Sequence, residues 1–160
     1  KDHPEWVLDL IEGWSLENKH TAWIAKHALR SLIKQGNQRA LAIIGASGKA
    51  EVEIVGVKVE PAVIRLGEKI TLSFAVKSTV AESQRLVIDY AIDYVKANGS
   101  TSAKVFKLKA LTLAGGATER VSRGQQIKEL TTRKHYVGKH AVHILVNGER
   151  LATTSFEILA

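Results

Sequence analysis

The sequence predicts a two-part α+β chain: a helical segment over residues 1–46, then an antiparallel immunoglobulin-like β-sandwich over residues 50–160. Three observations carry this. Apolar residues recur at helical spacing as far as Ile44 and alternate with a period of two from Val52 onward. The short small-residue run Ala46-Ser47-Gly48-Lys49-Ala50 separates the two regimes. Two Asn-Gly pairs, Asn98-Gly99 and Asn147-Gly148, stand between strand-like runs, where tight hairpins place them.

The first helix opens at His3-Pro4, because proline is tolerated in a first helical turn. Trp6, Val7, Leu10, Ile11 and Trp14 give it an apolar face, and Gly13 weakens its end. Trp6 and Trp14 are expected to pack against the second helix or against a preceding helical repeat. Asn18 is a candidate N-cap for the second helix, near Lys19–Gln35. Its core face is Ala22, Ile24, Ala25, Ala28, Leu29, Leu32 and Ile33. Lys19, Trp23, Lys26, His27, Arg30 and Lys34 fall in an arc of about 100° on the other side. Gly36 stops that helix. Asn37 caps a short third one through Ala40, Leu41 and Ile44.

The strand pattern follows. Val52, Ile54, Val57 and Val59 form a strand ended by Pro61, with a bulge at Gly56. Ile70–Val76, Leu86–Val95 and Lys104–Leu113 come next, then a short strand from Thr118. Gln126–Thr132, His140–Val146 and Leu151–Leu159 complete seven or eight antiparallel strands. There is no Cys…Trp…Cys signature, so the sandwich is of the cysteine-free kind. Tyr136 is a candidate tyrosine corner, or an ordinary packed tyrosine.

Composition narrows the function classes. With 45% hydrophobic residues among 160, the chain can bury a core, and intrinsic disorder is disfavoured. No cysteine is present, which excludes a disulfide framework, a thiol nucleophile and a thiolate metal site. That absence fits a cytoplasmic location. No apolar run is long enough to span a membrane and no signal-like segment opens the chain. The start at Lys1-Asp2-His3-Pro4, without methionine, suggests a processed chain or a fragment of something longer. The net charge of +7 favours polyanions, provided the cations cluster. They do: residues 1–17 hold one lysine and five acids, whereas residues 18–48 hold five cations and no acid.

Most catalytic constellations fail on spacing. His140 and His143 point to opposite faces of one strand. His20 and His27 lie about 10 Å apart along a helix, too far to share a metal ion. Asp89 and Asp93 share a strand face but stand about 13 Å apart, and are expected to be solvent-facing acids. Gly45-Ala46-Ser47-Gly48-Lys49 has the wrong spacing for a phosphate loop. The stripe Lys19, Trp23, Lys26, His27, Arg30, Lys34 survives, because several cations on one helix face can contact successive phosphates. The alternative is a merely solvated face. Arg120, Arg123, Lys128, Arg133, Lys134 and Lys139 form a second basic cluster. If both clusters faced one groove, the chain would clasp a duplex.

Two stretches also carry a family likeness. One is His20-Thr21-x-Trp23-Ile24-x-x-His27-Ala28-Leu29-Arg30-x-Leu32-x-Lys34-x-Gly36, with Ala40-Leu41-x-Ile43-Ile44-Gly45. It resembles the last helical repeat of AlkC-type DNA glycosylases, in the AlkC/AlkD superfamily of HEAT-like-repeat DNA alkylation repair proteins. The other is Leu130-Thr131-Thr132-Arg133, Gly138-x-His140-x-Val142 and Val146-Asn147-Gly148. It resembles the immunoglobulin-like domain that one AlkC branch carries. The resemblance implies a HEAT-like repeat over 1–46 and a DNA glycosylase as the parent protein, excising N-alkylated bases such as 3-methyladenine or 3-methylcytosine. It also implies no metal or organic cofactor, and a monomer joined to further N-terminal helical repeats. No position here matches the family's catalytic acid, so no catalytic residue is assigned, and this portion alone is expected to be inactive. The DNA-binding residues implied are Lys19, His20, Trp23, Lys26, His27, Arg30 and Lys34, with Arg133 and Lys134 from the sandwich. The competing reading is a protein-interaction or structural capping module with no DNA role.

Overall fold

A computed structural model describes residues 4–13, 19–46, 49–129 and 134–160, without the side chains of Lys19 and Ala22. Three helices precede eight strands: α1 (Pro4–Glu12), α2 (Lys19–Lys34), α3 (Gln38–Ile43), β1 (Val52–Glu60), β2 (Val63–Arg65), β3 (Lys69–Ser78), β4 (Gln84–Val95), β5 (Thr101–Leu113), β6 (Thr118–Gln126), β7 (Gly138–Val146) and β8 (Glu149–Leu159).

The strands form two sheets, ordered β1-β3-β6 and β2-β8-β7-β4-β5. Every pairing is antiparallel except that of β2 with β8, which is parallel. The chain changes sheets at Glu60-Pro61, where proline ends β1, and after Ala62 the three residues Val63–Arg65 add to the far sheet as β2. The bulge foreseen at Gly56 is present as a register shift between Val55 and Lys58. Inward positions close the sandwich with Leu72, Phe74, Ile88, Ile92, Ile144 and Phe156. His140 is buried among them, stacked on the Phe156 ring at 5.2 Å. Its Nδ1–H donates to the Gly138 carbonyl at 3.0 Å, and its Nε2 accepts the Val95 N–H at 3.4 Å. Burial holds its pKa below the usual histidine value, against the opposing bond to Gly138.

The expected balance of a HEAT-like repeat with a sandwich is corrected here. The chain is mostly β. Its helices are 9, 16 and 6 residues long, and the described residues contain no long helical-repeat region. The physical reason is a shortage of buried apolar face. The helices pack only five buried residues against one another, Leu8, Ile11, Ala25, Leu29 and Ala40, while the buried Leu41 packs on the sheet. Trp6 remains 73% exposed instead of packing on α2, and Leu10 and Ile24 are also exposed. Ala28, assigned to the core face, is exposed too. Trp14 and Asn18 lie outside the described residues. The Asn37 cap is formed: its side chain accepts the Ala40 N–H at 3.1 Å.

One strand is reassigned. The run foreseen as Gln126–Thr132 is the end of β6 at Gln126 followed by irregular chain to Glu129, and residues 130–133 lie outside the described residues. Ile127 supplied the apolar signal. It is a core plug whose backbone closes a turn, donating to Glu68 and accepting from Gly67. Tyr136 is 37% exposed, which does not fit a buried tyrosine corner.

The helices dock on the outer face of the five-stranded sheet. Leu41 and Ala46 pack with Val87, joined by Ile33, Ile44 and Ala110. Beside this contact the β7–β8 hairpin tip meets the α2–α3 turn backbone to backbone. Gly36 and Gly148 both have positive φ, and a Cβ on Gly148 would lie 2.6 Å from the Gly36 Cα. Asn147 locks that tip: it accepts the Val87 N–H at 2.8 Å through Oδ1, and its own N–H donates to the Val87 carbonyl at 2.9 Å. Among the described residues no helix is long and apolar enough to cross a membrane.

Candidate nucleic-acid interface

Three cations of the sequence stripe, Lys26, Arg30 and Lys34, come together over the sheet. One turn separates each from the next along α2, so they share a face, and that face overhangs β5. They line a cavity of about 40 Å³ with Lys107 of β5, above a floor that includes Val87 and Ala110. The acid lining it is Asp89. Trp23, 64% exposed, stacks on His27 with ring centroids 5.1 Å apart and planes 13° from parallel. The stripe therefore divides into a cationic patch against the sheet and an outward aromatic pair. His20 is exposed. The Lys19 side chain and Arg133 lie outside the described residues.

Asp89 corrects the expectation of solvent-facing acids. It is 3% exposed. Val87, Ala91 and Ala110 make that sheet face partly apolar, and the helices cover it. A register shift between Ile88 and Asp89 leaves Leu108 as the extra residue of β5, and its N–H turns to the Asp89 carboxylate. Burial pushes the carboxyl up to about 6, against the opposing pull of Lys34, Lys107 and the Leu108 N–H. The Lys26 ammonium is lowered by burial first, then by repulsion from Arg85 and Lys107.

Asp93 is not free in solvent either. His143 Nε2 contacts its carboxylate at 2.8 Å, and His143 Nδ1 contacts the Thr153 hydroxyl at 2.9 Å. The three residues sit on β4, β7 and β8, so the line straps neighbouring strands together across the outer sheet face. His140 and His143 do occupy opposite faces, and the described residues hold no group of three or more potential metal-ligating side chains.

The second basic cluster does not meet the first as one groove. Arg120 lies on the outer face of the three-stranded sheet, beside Val55 and Ser73. Arg123 turns across the sandwich edge to the Leu108 carbonyl at 3.4 Å. Lys134 lines a separate cavity near the β4–β5 hairpin with Tyr94, Lys96, Lys104 and Tyr136. The two cavities share the edge strand β5: Lys107 lines one and Lys104 the other, about 10 Å apart along the strand.

Sequence reasoning did not single out Lys107 or Arg39, and it assigned Asp89 to solvent. Arg39 of α3 pairs with Glu5, Asp9 at 2.7 Å and Glu12 at 2.9 Å, all on α1. The acidity of residues 1–17 is thus partly spent inside the helical cluster. The spacing of Glu5, Asp9 and Glu12 at i, i+4 and i+7 was the available signal.

Fold and site together define a cysteine-free immunoglobulin-like module carrying a cationic helical collar. A family model described as "Uncharacterised protein YhaZ, C-terminal Ig-like domain" matches residues 53–160, and the chain belongs to that family. YhaZ of Bacillus subtilis (strain 168) is 36% identical over 99% of this chain and 44% of its own length. A solved structure, Pseudomonas fluorescens alkylpurine DNA glycosylase AlkC bound to DNA containing an abasic site analog, is 64% identical. It superposes with a TM-score of 0.97 over 99% of this chain and 44% of that one. The AlkC resemblance read from the sequence therefore holds. The chain spans under half the length of these relatives. A β-glucosidase from Listeria innocua matches at TM-score 0.55 and 17% identity over 72% of this chain and 17% of that one, which shows the fold alone.

Proposed function

We propose that this chain is the DNA-holding portion of a DNA alkylation repair glycosylase, gripping duplex backbone phosphates rather than performing the excision. The division of labour is a helical collar, residues 1–46, that supplies most of the DNA contacts, and a sandwich, residues 50–160, that braces it and adds flanking contacts. The parent's substrates would be N-alkylated bases such as 3-methyladenine or 3-methylcytosine. The observation that carries the reading is the likeness to the DNA-bound AlkC at 64% identity over essentially the whole chain. The stripe supports it independently: Lys26, Arg30 and Lys34 converge on one surface with Trp23 and His27 outward beside them. Cations of this kind position a duplex without reading its sequence. Lys19, His20, Arg133 and Lys134 are proposed as flanking backbone contacts.

The test is binding of the 160-residue chain to a short duplex at about 50 and 200 mM salt. Three phosphate contacts predict roughly a forty-fold loss of affinity across that range. Reversing Arg30 and Lys34 together should weaken binding and flatten the logarithmic salt slope by about two. No binding at the lower salt would sink the reading and favour a protein-interaction or capping role.

A further inference from the structure

Four cations from two elements line the cavity between α2 and the sheet: Lys26, Arg30 and Lys34 from the helix and Lys107 from β5. Among the described residues no ion pair within 4.0 Å joins any of them to a carboxylate, whereas Arg39, Lys58 and Lys109 are all paired. Folding has brought these like charges together at an electrostatic cost, visible in the repulsion that Lys107 and Arg85 exert on Lys26. A bound oxyanion relieves that cost. Solvation alone does not account for the arrangement, because helical periodicity places only the α2 cations; Lys107 arrives through sheet register.

A second observation points inward. Asp89 is almost wholly buried and fixed from beneath by the bulge N–H of Leu108. It lies close enough to Lys34 and Lys107 to feel their charge, yet forms no ion pair within 4.0 Å among the described residues.

We propose that this cavity is a phosphate-binding pocket, in which Lys107 and the α2 cations Lys26, Arg30 and Lys34 hold a tetrahedral oxyanion, the helix cations also reaching the neighbouring phosphates of a duplex, and Asp89 is the internal counter-ion that holds the cations in place when the pocket is empty. The proposal rests on the DNA-holding reading for its natural ligand, a backbone phosphodiester. The same chemistry would take a free oxyanion. An arriving phosphate meets the Asp89 charge, so binding draws a proton onto the carboxyl. Lining the pocket with Asp89 are Lys26, Arg30 and Lys34 from α2, Lys107 from β5 and Ile44 just past α3; Arg85 stands on the same face of its own strand, and the neighbouring β7 brings His143, held between Asp93 and Thr153, to that sheet face. Asp89 is the acid that lines the pocket, so it carries the proton uptake.

Sulfate is the probe, because it is tetrahedral and stays fully ionised over that range. Its binding is followed through the amide resonances of Lys107, Leu108 and Asp89. The wild-type chain should bind more tightly at pH 5 than at pH 7. Lys107→Gln should weaken sulfate about tenfold or more. Asp89→Asn, which keeps an acceptor for the Leu108 N–H, should bind more tightly at pH 7 and lose most of the pH dependence. On a short duplex, Lys107→Gln should reduce the salt slope by about one. Sulfate binding that ignores Lys107→Gln would overturn the pocket, even if Arg30 and Lys34 variants still weaken the duplex. Sulfate binding that needs Lys107, with no duplex affinity at low salt, would keep the pocket as a site for free oxyanions and remove the DNA reading instead.

Discussion

Asp89 and His140 are buried titratable groups whose pH effects oppose each other. The Asp89 carboxyl sits at about 6 in the fold against an ordinary 3.8. Between those values the folded chain holds a proton that the unfolded chain has lost, so this group's contribution falls as pH rises through the window. The rise corresponds to at most about 3 kcal/mol against the ionised form. Asp89→Asn should therefore stabilise the chain at pH 7 by about 1–3 kcal/mol in urea unfolding; an unchanged midpoint would mean the cations already compensate the charge. His140 runs the other way. Its pKa is lowered by burial, so below its ordinary value of 6.5 the unfolded chain takes up a proton first, and stability falls with acidification. Asp89→Asn removes the opposing slope, so the variant should lose stability more steeply than wild type between pH 6.5 and 4. Parallel pH profiles for the two proteins would contradict this. Asp89 was visible in the sequence, in strict alternation with Val87 and Ala91, but alternation assigns a side chain to a face and says nothing of what covers it. The apolar neighbours on that same face were the sign that something does.

At the scale of elements, the strands were legible where both periodicity and turn chemistry spoke. β3, β4, β7 and β8 were each foreseen within a few residues, since a half-buried strand must alternate and Asn-Gly fixes its turn. β2 was not, because three residues after a proline carry no period. Ile127 misled because a residue can plug a core from a turn. In the helical cluster, the charge asymmetry between α1 and α2 was read as a clue to DNA, yet Arg39 of α3 accounts for much of the acidity by holding Glu5, Asp9 and Glu12 together. Arg39→Gln leaves three carboxylates crowded without a partner, so α1 amides should exchange faster while those of β4 and β7 keep their protection. Uniform exchange across all three elements would show the clamp to be irrelevant. At the hairpin, Asn147→Ala strands the buried Val87 N–H and should cost about 1–3 kcal/mol, read from the urea midpoint.

The whole molecule is a large core carrying a small one. Twenty buried residues among those described close the sandwich, and five close the helical cluster. The sandwich therefore sets global stability, and the helices hold their place through Leu41, Ala46, Val87 and the glycine contact. The stripe on α2 was legible in the sequence, but the pocket was not, because half of it belongs to a sheet whose register places Lys107 beneath the helix. Gly148→Ala should separate the two bodies: it strains a positive φ and drives a methyl into Gly36, so near-ultraviolet signal from the helical tryptophans should shift while the sandwich stays folded. Gly36 and Gly148 were each legible as local punctuation, a helix stop and a hairpin turn. Meeting in space makes them one heritable unit. A lineage that loses either glycine cannot recover the joint by a change at its neighbour, because no smaller side chain exists to concede the space. In any selection for folded variants, positions 36 and 148 should thus be constrained together, Gly148 the more strictly, because its Cβ would lie 2.6 Å from the Gly36 Cα whereas one on Gly36 would meet Gly148 at 3.2 Å.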